Sequence, residues 1–286
     1  MKNILVITEA LGVNGTSAGI VTSTFIQFLH ESGYRVTVIA RANYEGDAYW
    51  LPKEVVVKKF DLRYLKKYFL DTIPKVKAIP VYLTGFSGYL RYNKTMFKQI
   101  IAKELSEKKY DLIYALAAGD SFAPHFALAE MKLEIPYFVN IHDPFPKHIY
   151  PEPYKGKRDY INSVLERKFR KVLDKAKGIS FPSQLLMEDM AKTFASIDSK
   201  GFVIPHIGTM LPNLPKEAGD DLEALDLSKI NIIHAGTLLG PRNPGFLLKA
   251  IAALNEEHAD FLTKVSFTFI GGVNNNLSAI IANHSL

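Results

Sequence analysis

"NILVITEALGVNGTSAGIVTSTFIQFLHESGYRVTVIA", residues 3–40, is the stretch whose reading decides the fold. It opens on an apolar run, "NILVIT" (3–8), crosses a turn holding Gly12 and Gly15, and enters a helical pattern over 17–32 that begins near Gly19. A second apolar run, "RVTVIA" (35–40), follows at once. Runs that are apolar on both parities have no polar face to turn to water. They read as strands covered on both sides, in a parallel sheet joined by helical crossovers. The alternation continues outward. Strand patterns fall at 55–60, 111–116, 136–141, 178–182 and 201–205, with helical patterns at 91–109, 120–132, 159–177 and 183–195. Residues 1–206 are therefore expected to form an α/β, doubly wound parallel-sheet (Rossmann-like) domain.

A change of composition follows. "HIGTMLPNLPKEAGDDLEALDLSK" (206–229) is rich in Pro, Gly and acidic residues, so 207–229 reads as a linker, with a short helix near 219–226. The pattern then restarts with a strand at 230–235, a helix at 243–258 and a strand at 264–270. Residues 230–286 are expected to be the start of a second Rossmann-like domain.

The 286 residues are 48% hydrophobic and 22% charged, as in ordinary globular chains with a substantial core. The absence of cysteine excludes disulfides, thiolate metal sites and cysteine nucleophiles, and suits a reducing cytoplasm. No apolar run approaches the roughly 18 residues of a membrane span. The expected location is cytoplasmic, with contact at the inner membrane face as an extension of it. That extension comes from residues 51–110, where fourteen Lys/Arg face five Asp/Glu among ten Phe/Tyr. Basic residues mixed with aromatics can meet anionic lipid, polysaccharide or phosphorylated acceptors. The same composition also describes solvated helices whose aromatics face a core. No motif points to nucleic acid.

Three loops carry chemistry. In the first, Gly12, Gly15 and Gly19 stand as G-x-x-G-x-x-x-G between a strand and a helix, where backbone N–H groups can meet an anion. This is neither the dinucleotide fingerprint G-x-G-x-x-G nor a P-loop, which counts against a Rossmann dehydrogenase or sugar-nucleotide epimerase. In the second, "VNIHDPFPKHIYPEP", His142 and Asp143 follow a parallel strand at its carboxyl end, where open α/β sheets place ligands. A His-Asp pair there can orient a hydroxyl or handle protons near neutral pH. His148 is a weaker candidate, and its spacing from His142 matches no zinc motif, so no metal site is expected. The "VIPHIG" segment ends a strand at Pro205 and sets His206 and Gly208 in a hinge or ligand-facing loop. In the third loop, "HAGTLLGPRNPGFLLKAI", Gly236 and Gly240 loosen the turn and Arg242 precedes Asn243, an expected N-cap, with Pro244 after it. An arginine beside a helix N-terminus suits a diphosphate. Ser183 in "FPSQLLMEDMAK" reads as an N-cap with Met187 and Met190 turned inward.

Taken in order, these pieces resemble the glycogen-synthase-like, group 1 glycosyltransferases of the GT-B fold. The resemblance implies transfer of a sugar from a nucleotide diphosphate sugar to a saccharide or lipid-linked acceptor, with retained anomeric configuration and without a metal or other cofactor. It implies that the first domain binds the acceptor and the second the donor, with chemistry in the cleft between them. On this pattern Gly12, Gly15, Gly236, Arg242 and Asn243 belong to donor binding, His142 and Asp143 to catalysis, and His206 and Gly208 to the hinge and cleft. Departures accompany the resemblance. His206 stands where the family commonly has Asn, Lys249 lies further along the helix than the usual second cation, and no pair of glutamates has the E-x7-E spacing. The D-x-D motif of the metal-dependent alternative fold is absent as well. The expectation is a complete acceptor domain with the first part of a donor domain, incomplete for catalysis by itself. Its rival is a non-catalytic domain docking on anionic lipid or polysaccharide through 51–110.

Overall fold

A computed structural model describes residues 1–11, 17–42, 51–61, 81–82, 84–118, 122–206, 225–236, 244–271 and 281. The chain divides into two compact units, Met1–Thr209 and Met210–Leu286. In the first, strands β1 (Asn3–Thr8), β2 (Arg35–Ala42), β3 (Val56–Asp61), β4 (Leu112–Leu116), β5 (Tyr137–Asn140), β6 (Gly178–Phe181) and β7 (Gly201–Val203) form one sheet. Their order is β3-β2-β1-β4-β5-β6-β7, and every pair is parallel. The direction of winding reverses between β1 and β4, so the carboxyl ends there border the crevice in which such sheets hold ligands.

The apolar runs do what two-sided burial requires. Ile4 and Val6 of β1 pack with Val36, Val38, Tyr114 and Leu116 on one face. Leu5 and Ile7 pack with Ile39, Ile113, Ala115 and Val139 on the other. Helix α1 (Ser17–Glu31) covers the first face with Phe25, Ile26 and Leu29. The second face is covered by α2 (Gly88–Glu107), α3 (Ala123–Glu130), α4 (Tyr160–Lys175), α5 (Gln184–Ala191) and α6 (Ser196–Lys200). They contribute Phe97, Phe126, Phe169, Met190 and Ile197 in turn. Each fully buried Ile, Leu or Phe is worth roughly 1.5–3 kcal/mol of apolar transfer. Their number makes this unit's core its main source of stability.

Helix starts follow cap chemistry. Ser87 Oγ accepts from Leu90 N at 3.1 Å, which begins α2 earlier than its apolar pattern suggested. Asp159 accepts from Asn162 N at 2.8 Å, and Ser183 accepts from Leu186 N at 3.3 Å. Met190 is buried as expected. Strand β7 is shorter than the apolar run 201–205: Ile204 N still reaches Phe181 O, but Pro205 has no N–H to continue the ladder.

In the second unit, β8 (Ile230–Ala235) pairs in parallel with β9 (Val265–Ile270), from Ile230↔Val265 to Ala235↔Ile270. Helix α7 (Gly245–Glu257) buries Leu248 and Ile251, and α8 (Phe261–Lys264) is a single turn before β9. Helix α7 starts after Pro244, later than the predicted 243. At the carboxyl end of this pair Gly236 has φ +153° and Gly271 has φ +135°. A Cβ on Gly271 would lie 2.4 Å from Gly236 O, so only glycine allows the two chains to pass so closely. Among the described residues, no helix is long and apolar enough to cross a membrane.

Candidate functional site

The carboxyl ends of β4 to β7 gather polar side chains on the α1 face of the sheet. Asn140 ends β5 opposite Ser180 of β6, and Asn140 Nδ2 donates to Ser180 Oγ at 3.0 Å. Tyr114, from β4, passes Phe138 and donates its hydroxyl to the same Oγ at 2.5 Å. Burial pushes the Tyr114 phenol up to about 12, with the Ser180 contact pulling the other way, so it stays protonated. Above these groups stand two imidazoles. His142 follows β5 and His206 follows β7, and His206 Nε2 lies 3.2 Å from His142 Nδ1 across the end of β6.

A cavity of about 20 Å³ lies beneath the imidazoles, bordered by Thr22 and Phe25 of α1 as well as Asn140 and Ser180. That is room for one water. Thr22 Oγ1 and Asn140 Oδ1 are buried without a partner among the described residues, so they are suited to a small polar guest.

His142 is half-buried and His206 exposed. Burial, and then the potential positive charge of His206, lower the His142 pKa to about 4, so the ring is neutral at pH 7. Behind it, on α3, the fully buried His125 donates Nε2–H to the Asn140 carbonyl at 2.8 Å. Burial foremost, followed by proximity to His142, lowers His125 to about 4, while its backbone hydrogen bond opposes the shift. His125 thus ties down the last carbonyl of β5, next to the residue that precedes His142.

The structure therefore joins His142 and His206, which stood in separate motifs. It adds Tyr114, His125, Asn140 and Ser180, which had drawn no attention. Asp143 is half-buried beside His142 and is itself engaged in an interaction. Gly236 sits at the carboxyl end of β8, its N–H donating to Ile270 O at 2.8 Å. Gly12, Gly15, Gly208, Arg242 and Asn243 lie outside the described residues, as do Gly240 and residues 219–224 of the helix expected near 219–226, whose described end at 225–226 is not helical. Gly19 is buried in the first turn of α1. His148 belongs elsewhere. It is buried against Glu166 of α4 at 3.0 Å, and Glu166 also holds Arg158 and Arg170. That clamp fixes the loop before α4 and accounts for the histidine without a ligand.

Within 51–110, four of the nine described cations are held in ion pairs. Lys58 pairs with Glu104 and Glu107, Lys94 and Lys98 pair with Glu130, and Lys103 pairs with Glu107. Phe86, Phe97 and Tyr110 are buried, while Tyr82 and Tyr89 are exposed. Residues 62–80 lie outside the described residues.

The model of Glycosyltransferase Family 4 matches residues 18–207, well over half of the chain. The chain belongs to Glycosyltransferase Family 4. Solved structures agree on the fold of this Family 4 glycosyltransferase. An E. coli structure described as trehalose-6-phosphate bound with UDP-2-fluoro glucose matches with TM-score 0.58 and 14% identity, over 99% of this chain and 69% of that one. Sucrose-phosphate synthase of Thermosynechococcus elongatus matches with TM-score 0.61 and 12% identity, over 100% and 68%. A mutant of S. aureus TarM, in complex with Fondaparinux, alpha-GlcNAc-glycerol and UDP, matches with TM-score 0.57 and 9% identity, over 100% and 76%. No curated protein matches. The Family 4 chain has the GT-B fold of these neighbours, and its matched span contains His142 and His206.

Proposed function

We propose that this protein transfers a sugar from a nucleotide diphosphate sugar to a saccharide or lipid-linked acceptor, with retention and without a metal ion. The observation that carries this is a neutral His142 at the carboxyl edge of the sheet, braced by His206, in a Family 4 chain. A neutral imidazole can donate to a hydroxyl of the transferred sugar without adding charge beside the reacting carbon. Departure of the nucleotide builds negative charge on a phosphate, which preorganised N–H and guanidinium donors stabilise. Arg242 and Asn243 are assigned that task, with Gly236, Gly12 and Gly15 as further phosphate-binding backbone. Asp143 is assigned with His142 to catalysis, and Gly208 with His206 to the hinge and cleft. The solved structures bound to UDP or a UDP-sugar support a nucleotide sugar as donor. The rival reading, a non-catalytic domain docking on anionic lipid or polysaccharide through 51–110, loses Lys58, Lys94, Lys98 and Lys103 to ion pairs within the unit.

Calorimetric titration with UDP, UDP-glucose and GDP-mannose tests the proposal. One sugar nucleotide should bind, unchanged by EDTA. Arg242→Ala should weaken free nucleotide and sugar nucleotide alike, whereas His142→Ala should weaken only the sugar nucleotide. Binding abolished by EDTA, or His142→Ala indistinguishable from wild type, would overturn it.

A further inference from the structure

We propose that His206 is a positioning residue for His142: His206 Nε2–H donates to His142 Nδ1 and holds the His142 proton on Nε2. An imidazole–imidazole contact at 3.2 Å needs one N–H and one lone pair, so one of two tautomer pairings must hold. The environment chooses between them. His206 is exposed and His142 half-buried, so a proton taken up by the pair is better solvated on His206. With that proton on His206 its Nε2 is always a donor, and the accepting role of His142 Nδ1 is the same before and after protonation.

The groups packed around His142 do not reverse this choice. Thr22 on α1, Tyr114 on β4, Asn140 on β5 and Ser180 on β6 are uncharged, and the buried His125 on α3 already spends its Nε2–H on the Asn140 carbonyl. Asp143, next in the chain, is half-buried and takes part in an interaction. What His142 then has to offer is a single N–H on the nitrogen opposite the contact. The ring is also held at a fixed tilt, 41° to its partner with centroids 5.1 Å apart. This makes His142 a hydrogen-bond donor and not a base. The consequence for sugar transfer rests on the proposed function; the tautomer does not.

The test is a long-range ¹H–¹⁵N correlation of the histidine rings in the whole chain at pH 7. His142 should show an unprotonated Nδ1 and a protonated Nε2. In His206→Ala the donor to His142 Nδ1 is lost. The two tautomers should then exchange, and the proton affinity of His142 should rise roughly tenfold, about one pH unit in its titration. His206→Gln places an amide N–H at a similar reach and should restore the wild-type tautomer, which separates positioning from mere filling of space. A protonated Nδ1 in the wild type, or a His206→Ala spectrum and titration unchanged from it, would overturn the assignment. No donor is needed for this measurement. Failure to bind UDP-glucose or GDP-mannose would count against the proposed function while the tautomer result stood.

Discussion

His125 turns burial into a measurable pH dependence. The ring is wholly enclosed and, among the described residues, makes one hydrogen bond and has its Nδ1 without a partner, so charging it would strand a cation in an apolar setting. Its pKa falls from an ordinary 6.5 to about 4. The unfolded chain therefore binds the proton first as pH drops. Stability is fully present above pH 6.5 and is lost as pH falls toward 4. Integrating the difference gives a loss of about 2 kcal/mol by pH 5 and about 3 kcal/mol by pH 4, a large share of a typical domain's 5–15 kcal/mol. His142 shifts the same way, but it is partly open to solvent and contributes less. Urea unfolding of wild type and His125→Gln at pH 7, 5 and 4 isolates the His125 share. Gln keeps a donor for Asn140 O but does not titrate. The variant should start weaker at pH 7, and the gap should shrink by about 2–3 kcal/mol on acidification. Parallel curves for the two proteins would refute the reasoning, since they would mean His125 takes up no extra proton on unfolding.

Two further outcomes are expected. Glu166→Ala removes the shared partner of His148, Arg158 and Arg170 and strands a buried imidazole, so unfolding should cost about 2–4 kcal/mol less; nucleotide binding should not change, which calorimetry on the folded variant checks. Gly178→Ala places a Cβ 2.3 Å from a Phe138 ring carbon, and the overpacking should lower stability by about 1–3 kcal/mol or more, visible as a fall in melting temperature.

The sheet was legible because its strands are buried on both faces. "NILVIT" and "DLIYAL" admit no surface reading, and the helix after β6 carries a readable cap at Ser183. Helix α6 escaped notice because five residues hold too little of a 3.6-residue period to register. The site was half legible. His142 could be placed from the strand before it, since the carboxyl ends of parallel strands are where ligands sit. Its contact with His206 spans 64 positions and crosses β6, a neighbour relation that only sheet order supplies. His125 lies in "APHFALAE", where nothing local separates a buried anchor from an ordinary core histidine. Tyr114, Asn140 and Ser180 look like routine strand residues until β4, β5 and β6 are set side by side.

That last trio also acts as a check on assembly. Tyr114, Asn140 and Ser180 come from three adjacent strands and meet at one oxygen. A one-residue slip of β5 would turn Asn140 to the opposite face and bring Val139 or Ile141 in its place. Ser180 would then lose a donor, and His142 would swing away from His206 with the rest of the strand. A misregistered sheet could still bury its aliphatic residues, yet it could not build the histidine pair. Correct pairing of the strands and assembly of the histidine pair are thus read out by the same few hydrogen bonds.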